Sequence, residues 1–120
     1  MLSGVSMCEF RVYVIGEESE APLAEDVIAA RLEDGKLVVQ DILGIRVEIE
    51  GGVIGEVDVR TETMRVYRLS LAQNFMRFVQ ALVAYARGEL DASKVRELWA
   101  EVRERGDELV EDLSSVRGRL

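Results

Sequence analysis

Apolar and polar residues alternate from 9 to 15, with Phe10, Val12 and Val14 on one side and Arg11, Tyr13 and Ile15 on the other. This is the period-two pattern of a half-buried strand. An acidic loop over 16–22 follows, and a second strand is expected at about 25–32. Asp34-Gly35 then separates that run from the next, 36–41. A two-residue type I′ turn needs positive φ at both central positions, so Asp-Gly between apolar runs predicts a hairpin. Ile45, Val47 and Ile49 alternate with Arg46, Glu48 and Glu50, and Gly51-Gly52 ends that strand. Val53, Val57 and Val59 share one face, with Gly55 free to bend or bulge, and a last strand covers 64–68 after the polar turn at 60–63. Short strands in this number curl or close on themselves, which shields their edges and buries one face.

The period changes at Ser70. Leu71, Phe75, Phe78, Val79, Leu82, Val83 and Ala86 fall at helical spacing, with Ser70 and Gln73 spaced as a capping box and Gly88 as the stop. After a turn at 88–91, Val95, Leu98, Trp99, Val102, Leu109, Leu113 and Val116 form a second stripe, which Gly106 is placed to kink or divide. So short a connection predicts an antiparallel hairpin whose stripes face each other and a third surface. The expected fold is α+β: a small antiparallel β-barrel-like module of about six short strands over 1–69, followed by a C-terminal antiparallel two-helix hairpin over 70–120. The two are expected to form one cooperative unit.

Composition narrows the chemistry. The chain of 120 residues contains no histidine, which removes the usual general base near neutral pH and the commonest metal ligand. Its single cysteine, Cys8, forbids an internal disulfide and fits a reducing compartment. No apolar run approaches the roughly 18 residues that span a bilayer, and the stretch before Met7 lacks the basic start of a secretory signal. A cytoplasmic protein without membrane contact is expected. The net charge of −8 sits mostly in the strand region, where 7 basic residues face 14 acidic ones. Nucleic acids bind through neutralisation of phosphates by lysine and arginine, so RNA would need a local basic patch against this field.

Cys8 carries the sharpest candidate chemistry. It reads as a small hydrophobe at the head of the first strand, or, with Met7 as initiator and removed, as an N-terminal residue whose amine and thiolate close a five-membered chelate on a metal. Two such groups across a dimer axis supply nitrogen and sulfur donors that suit divalent nickel or copper better than zinc.

Met7-Cys8-Glu9, Asp34-Gly35-Lys36-Leu37, Asp41-Ile42-Leu43-Gly44 and the run from Gly51-Gly52 to Val59 together resemble the CooT family of small nickel-binding proteins. The resemblance implies a compact β-barrel-like homodimer and a link to nickel delivery for carbon monoxide dehydrogenase, hence a partnership with a nickel enzyme or its maturation machinery. It places the metal on Cys8. Related sequences also carry the label of predicted RNA-binding proteins. Asp41 and Asp58 lie in the family-like segments, but turn capping explains both.

Arg11 and Tyr13 on the first strand and Arg65 and Tyr67 on the last would form a basic aromatic patch if those strands were neighbours, with Arg60, Arg68 and Arg77 as extensions. The alternative is an ordinary sheet exterior. Glu17, Glu18, Glu20, Glu25 and Asp26 match no calcium loop and read as a solvated face. The Trp99 stripe reads as core or as an oligomer interface. With no histidine, one cysteine and no convergent polar motif, no catalytic residue is expected. Three functions follow: a nickel-binding accessory protein or metallochaperone, a small RNA-binding module, or an interaction scaffold working through the hairpin.

Overall fold

The computed structural model describes residues 9–17 and 21–118. Six strands come first: β1 (Phe10–Val14), β2 (Ala24–Glu33), β3 (Lys36–Asp41), β4 (Arg46–Ile49), β5 (Gly52–Asp58) and β6 (Thr63–Arg68). Two helices follow, α1 (Ser70–Ala86) and α2 (Ala92–Glu111), with a 3-10 turn at Leu113–Ser115. The α+β expectation is borne out. The strands form one sheet in the order β4-β3-β2-β1-β6-β5. Neighbours are antiparallel except β1 and β6, which run parallel, with Tyr13 opposite Arg65 and Val14 opposite Val66. A parallel pair needs a long connection, and the four intervening strands provide it.

The edge strands β4 and β5 are consecutive, joined only by Glu50 and Gly51. A sheet whose two edges are tied by so short a link has to curl until they meet there. Gly52 marks the meeting point, since a β-carbon on it would come within 2.8 Å of Ile49 Cγ2 and 3.0 Å of Leu37 Cβ. No ladder joins β4 to β5, so the sheet is barrel-like without closing. Its concave side holds the core, where Val12, Val27, Val39, Ile49 and Val66 are each at most 2% exposed.

Local chemistry sets the turns. Asp34 and Gly35 both take positive φ, 49° and 76°, in the hairpin between β2 and β3. The bulge in β5 falls between Ile54 and Glu56, at Gly55. Val57 lies opposite core Met64 yet is 49% exposed, because β5 has no further strand beside it.

The first helix starts differently from the capping-box expectation. Leu69 is the N-cap, with φ −148° and ψ 124° and no side-chain cap bond. Its N–H donates to the Gly51 carbonyl at 2.9 Å, which holds Leu69 extended and leaves Ser70 inside the first turn, out of capping position. At the other end, Gly88 N–H reaches the Tyr85 carbonyl and Glu89 N–H the Ala84 carbonyl, each at 2.9 Å, with Gly88 at φ 74°. These two bonds are the Schellman pattern that ends a helix on a left-handed glycine. The second helix runs through Gly106 without a break.

The sheet meets the polar side of α1. Gly35 N–H donates to Gln80 Oε1 at 2.9 Å, Arg77 Nε stands 3.6 Å from Asp34 Oδ1, and a β-carbon on Gly35 would overlap Arg77. The molecule measures 53 × 41 × 21 Å, with a radius of gyration of 17.1 Å. A compact chain of this length would have about 13–14 Å. The hairpin therefore projects beside the sheet, and its apolar stripes meet the strand module at Leu109 and Val116, in a cleft with Glu50, Arg68 and Leu69. Among the described residues no helix is long and apolar enough to cross a membrane.

Candidate functional site

Cys8 lies outside the described residues, two positions ahead of β1. The surroundings of that strand's first residues are defined. Phe10 stands opposite Val27, and Arg11 N–H donates to the Glu62 carbonyl at 2.9 Å. Two turns gather at this end of the sheet. In the β3–β4 turn, Asp41 Oδ1 accepts from Leu43 N–H and Ile45 N–H, both at 2.9 Å. In the β5–β6 turn, Asp58 Oδ1 accepts from Arg60 N–H at 2.9 Å and Thr61 N–H at 3.2 Å. Both carboxylates are occupied by backbone, the Asx-type capping their positions suggested.

Among the described residues, no group of three or more cysteine, aspartate or glutamate side chains could hold a metal ion. Glu17, Glu25 and Asp26 form no such site, and Glu18 and Glu20 lie outside the described residues. A metal that needs a thiolate would have to find it on Cys8, the chain's one cysteine.

The strands that carry the arginine and tyrosine patch are neighbours. In the β1–β6 ladder Arg11 is opposite Thr63 and Tyr13 opposite Arg65, so Arg11, Tyr13, Arg65 and Tyr67 share the outer face. Two features reduce what this face offers a nucleic acid. The Arg65 guanidinium is ion-paired with Glu56 on β5. The Tyr67 ring lies against Gly55, where a β-carbon would come within 2.9 Å of Tyr67 Cε2 and of Ile15 Cδ1. The three suggested extensions do not join the patch as free charges. Arg60 stays in its turn beside Asp58 at 3.8 Å, Arg77 faces Asp34 at the far hairpin, and Arg68 lines a cleft with Glu50 and Leu109.

A second surface lies on the hairpin, where the residue pattern marks the Trp99 stripe as core or interface. The Phe78 and Trp99 rings meet at 5.2 Å, and Phe75 stands 6.2 Å from Phe78, forming a seam between α1 and α2. The Trp99 stripe pointed to α2, but not to the share contributed by Leu82 and Tyr85 of α1. One signal was available: Arg77 is the only charged residue in α1, and a helix so poor in charge is ordinarily covered.

In a comparison with known families, residues 7–66 match CO dehydrogenase accessory protein CooT. No curated protein matches the chain. The match covers half of the chain, from just before β1 into β6, and ends ahead of both helices. It agrees with the resemblance carried by Met7-Cys8-Glu9, the Asp34-Gly35 turn and the segment around Gly51-Gly52. The curled six-stranded sheet is the part of the structure to which the match applies, and the chain belongs to the CooT family of CO dehydrogenase accessory proteins.

Proposed function

We propose that this chain is a nickel-binding accessory protein of the cytoplasm, that Cys8 supplies its metal ligand in a homodimer, and that it serves the maturation of a nickel enzyme. The observation that carries this reading is the start of the family match at Met7, immediately before the only cysteine. With Met7 removed, the Cys8 amine and thiolate are adjacent donors, and a second copy doubles the set. Such nitrogen and sulfur donors favour nickel over harder cations. The absence of histidine and of any carboxylate cluster among the described residues leaves no competing ligand group there. The free edge of β5 supports the dimer, because Ile54 and Val57 are 42% and 49% exposed on a strand paired with β6 on one side only.

The test is metal content and intact mass after nickel loading, for protein expressed from Met1 and from Met7, each with and without Cys8→Ala. Stoichiometric nickel is expected in the form that begins at Cys8, with loss of at least nine-tenths of it in Cys8→Ala. Equal nickel with and without the thiol in both forms would end the proposal.

A second reading draws on the adjacency of β1 and β6, which gathers Arg11, Tyr13, Arg65 and Tyr67 on one face. RNA bound there would show a steep loss of affinity with salt. Titration of single-stranded RNA at two ionic strengths, with Arg11→Ala and Tyr13→Ala alongside, checks it. The module's excess of acidic residues and the Arg65–Glu56 pair favour the outcome of no salt-dependent binding.

A further inference from the structure

The hairpin carries an apolar groove that neither the sheet nor the family match accounts for. Its floor is Phe78, Val95, Trp99 and Ala100, its rim is Arg96 and Arg103, and it encloses about 740 Å³. Val95 and Arg96 also line the adjoining depression with Leu82 and Tyr85, so the groove continues along the α1–α2 seam. Leu82, Tyr85 and Trp99 are 46%, 48% and 43% exposed, although the opposite side of α1 rests its polar residues on the β2–β3 turn.

Charge identifies what fits. Helix α1 contains no carboxylate. Arg96 and Arg103 have no carboxylate within salt-bridge reach among the described residues, whereas Lys94 and Arg105 on the same helix are paired with Glu97 and Glu108. The rim thus carries two arginines without an ion-pair partner among the described residues, on a chain of net charge −8. The two arginines are seven residues apart, or two helical turns, about 10 Å along α2. Beyond Arg103 the surface turns acidic at Glu104, Asp107 and Glu111, which limits the matching negative charge to the stretch between the two arginines.

A second copy fits poorly. Groove against groove would oppose arginine to arginine. The other seam of the hairpin, with Glu101, Glu104 and Glu108, offers the right charge but no apolar row to fill the floor.

We propose that this groove docks an amphipathic helix of a different protein, one with an apolar stripe and acidic residues flanking it at seven-residue spacing. This is helix-in-groove recognition, with apolar anchors giving affinity and the charged rim giving register and selectivity. It rests on the hairpin alone and stands whether or not Cys8 binds nickel.

Trp99 is the only tryptophan in the chain, so its emission reports the groove directly. The probe is a 16-residue alanine- and glutamine-based helical peptide with one leucine stripe flanked by glutamates seven residues apart. Its counterpart carries lysines at the flanking positions. The full chain is titrated with each at low and at moderate salt. The glutamate peptide is expected to shift Trp99 emission to the blue, to bind at least tenfold tighter than the lysine peptide, and to weaken with salt. In the double variant Arg96→Glu/Arg103→Glu the preference should invert in favour of the lysine peptide. Both positions are exposed and unpaired, and circular dichroism verifies that the helices persist. Equal binding of the two peptides, or no shift with either, overturns the proposal. So does a blue shift that grows with protein concentration alone and disappears in Leu82→Glu together with self-association, since a second copy would then fill the groove.

Discussion

Ile49→Ala is expected to lower the free energy of unfolding by about 2–5 kcal/mol, the range for removing a large aliphatic side chain from a close-packed core. Ile49 is 2% exposed, lies opposite Leu37 across the β3–β4 ladder, and touches the position where Gly52 begins β5. Truncation there leaves a void at the one point where the two edges of the sheet are tied together, where backbone collapse is least available. The measurement is the urea midpoint with the slope held as a control, because a changed slope would indicate altered compactness of one of the end states. Ile45→Ala in the turn just before β4, at 58% exposure, is expected to change stability by no more than about 0.5 kcal/mol. Similar losses in the two variants would show that the edges are not joined through Ile49.

Gly51→Ala should cost more than its left-handed backbone alone explains. Gly51 has φ 69°, and a β-carbon there would overlap the Leu69 carbonyl oxygen while Leu69 N–H is bonded to the Gly51 carbonyl. Alanine at a position of positive φ destabilises by more than about 1 kcal/mol. Gly44 is the matched control, with φ 86° and no atom nearer than Gln40 Nε2 at 4.0 Å. The excess of Gly51→Ala over Gly44→Ala measures the contact between the β4–β5 link and the start of α1. It should appear with faster amide exchange at Leu69. Equal costs and unchanged exchange would mean that the link does not fix the helix.

What the chain disclosed in advance was local. Alternation located the strands, Asp34-Gly35 its hairpin, Gly55 its bulge, and the apolar stripes both helices. Pairing order was hidden, because nothing in Phe10–Val14 or Thr63–Arg68 records that these strands lie side by side in parallel. The start of α1 escaped for a related reason. Its cap depends on a bond from Leu69 to Gly51, a partner on another element, and that bond overrode a sound local signal at Ser70. For the candidate site, Cys8 and its family context were legible from the residues, as was the turn-capping role of Asp41 and Asp58. The groove was only half visible, since helical periodicity shows that α1 has an apolar face but cannot show that its polar face is the one turned toward the sheet.

The parallel pairing of β1 with β6 also dictates a timetable. The β1–β2–β3–β4 meander and the β5–β6 hairpin are assembled from neighbours in the chain and can form early, but the β1–β6 ladder joins strands about fifty residues apart, and such distant contacts are slow to close. Until β6 has left the ribosome, Val12 and Val14, which end at 0% and 8% exposure, have a sheet neighbour on one side only. The first strand is thus made early and completed late, so a nascent chain would close the sheet over Val12 and Val14 only once synthesis has passed Arg68.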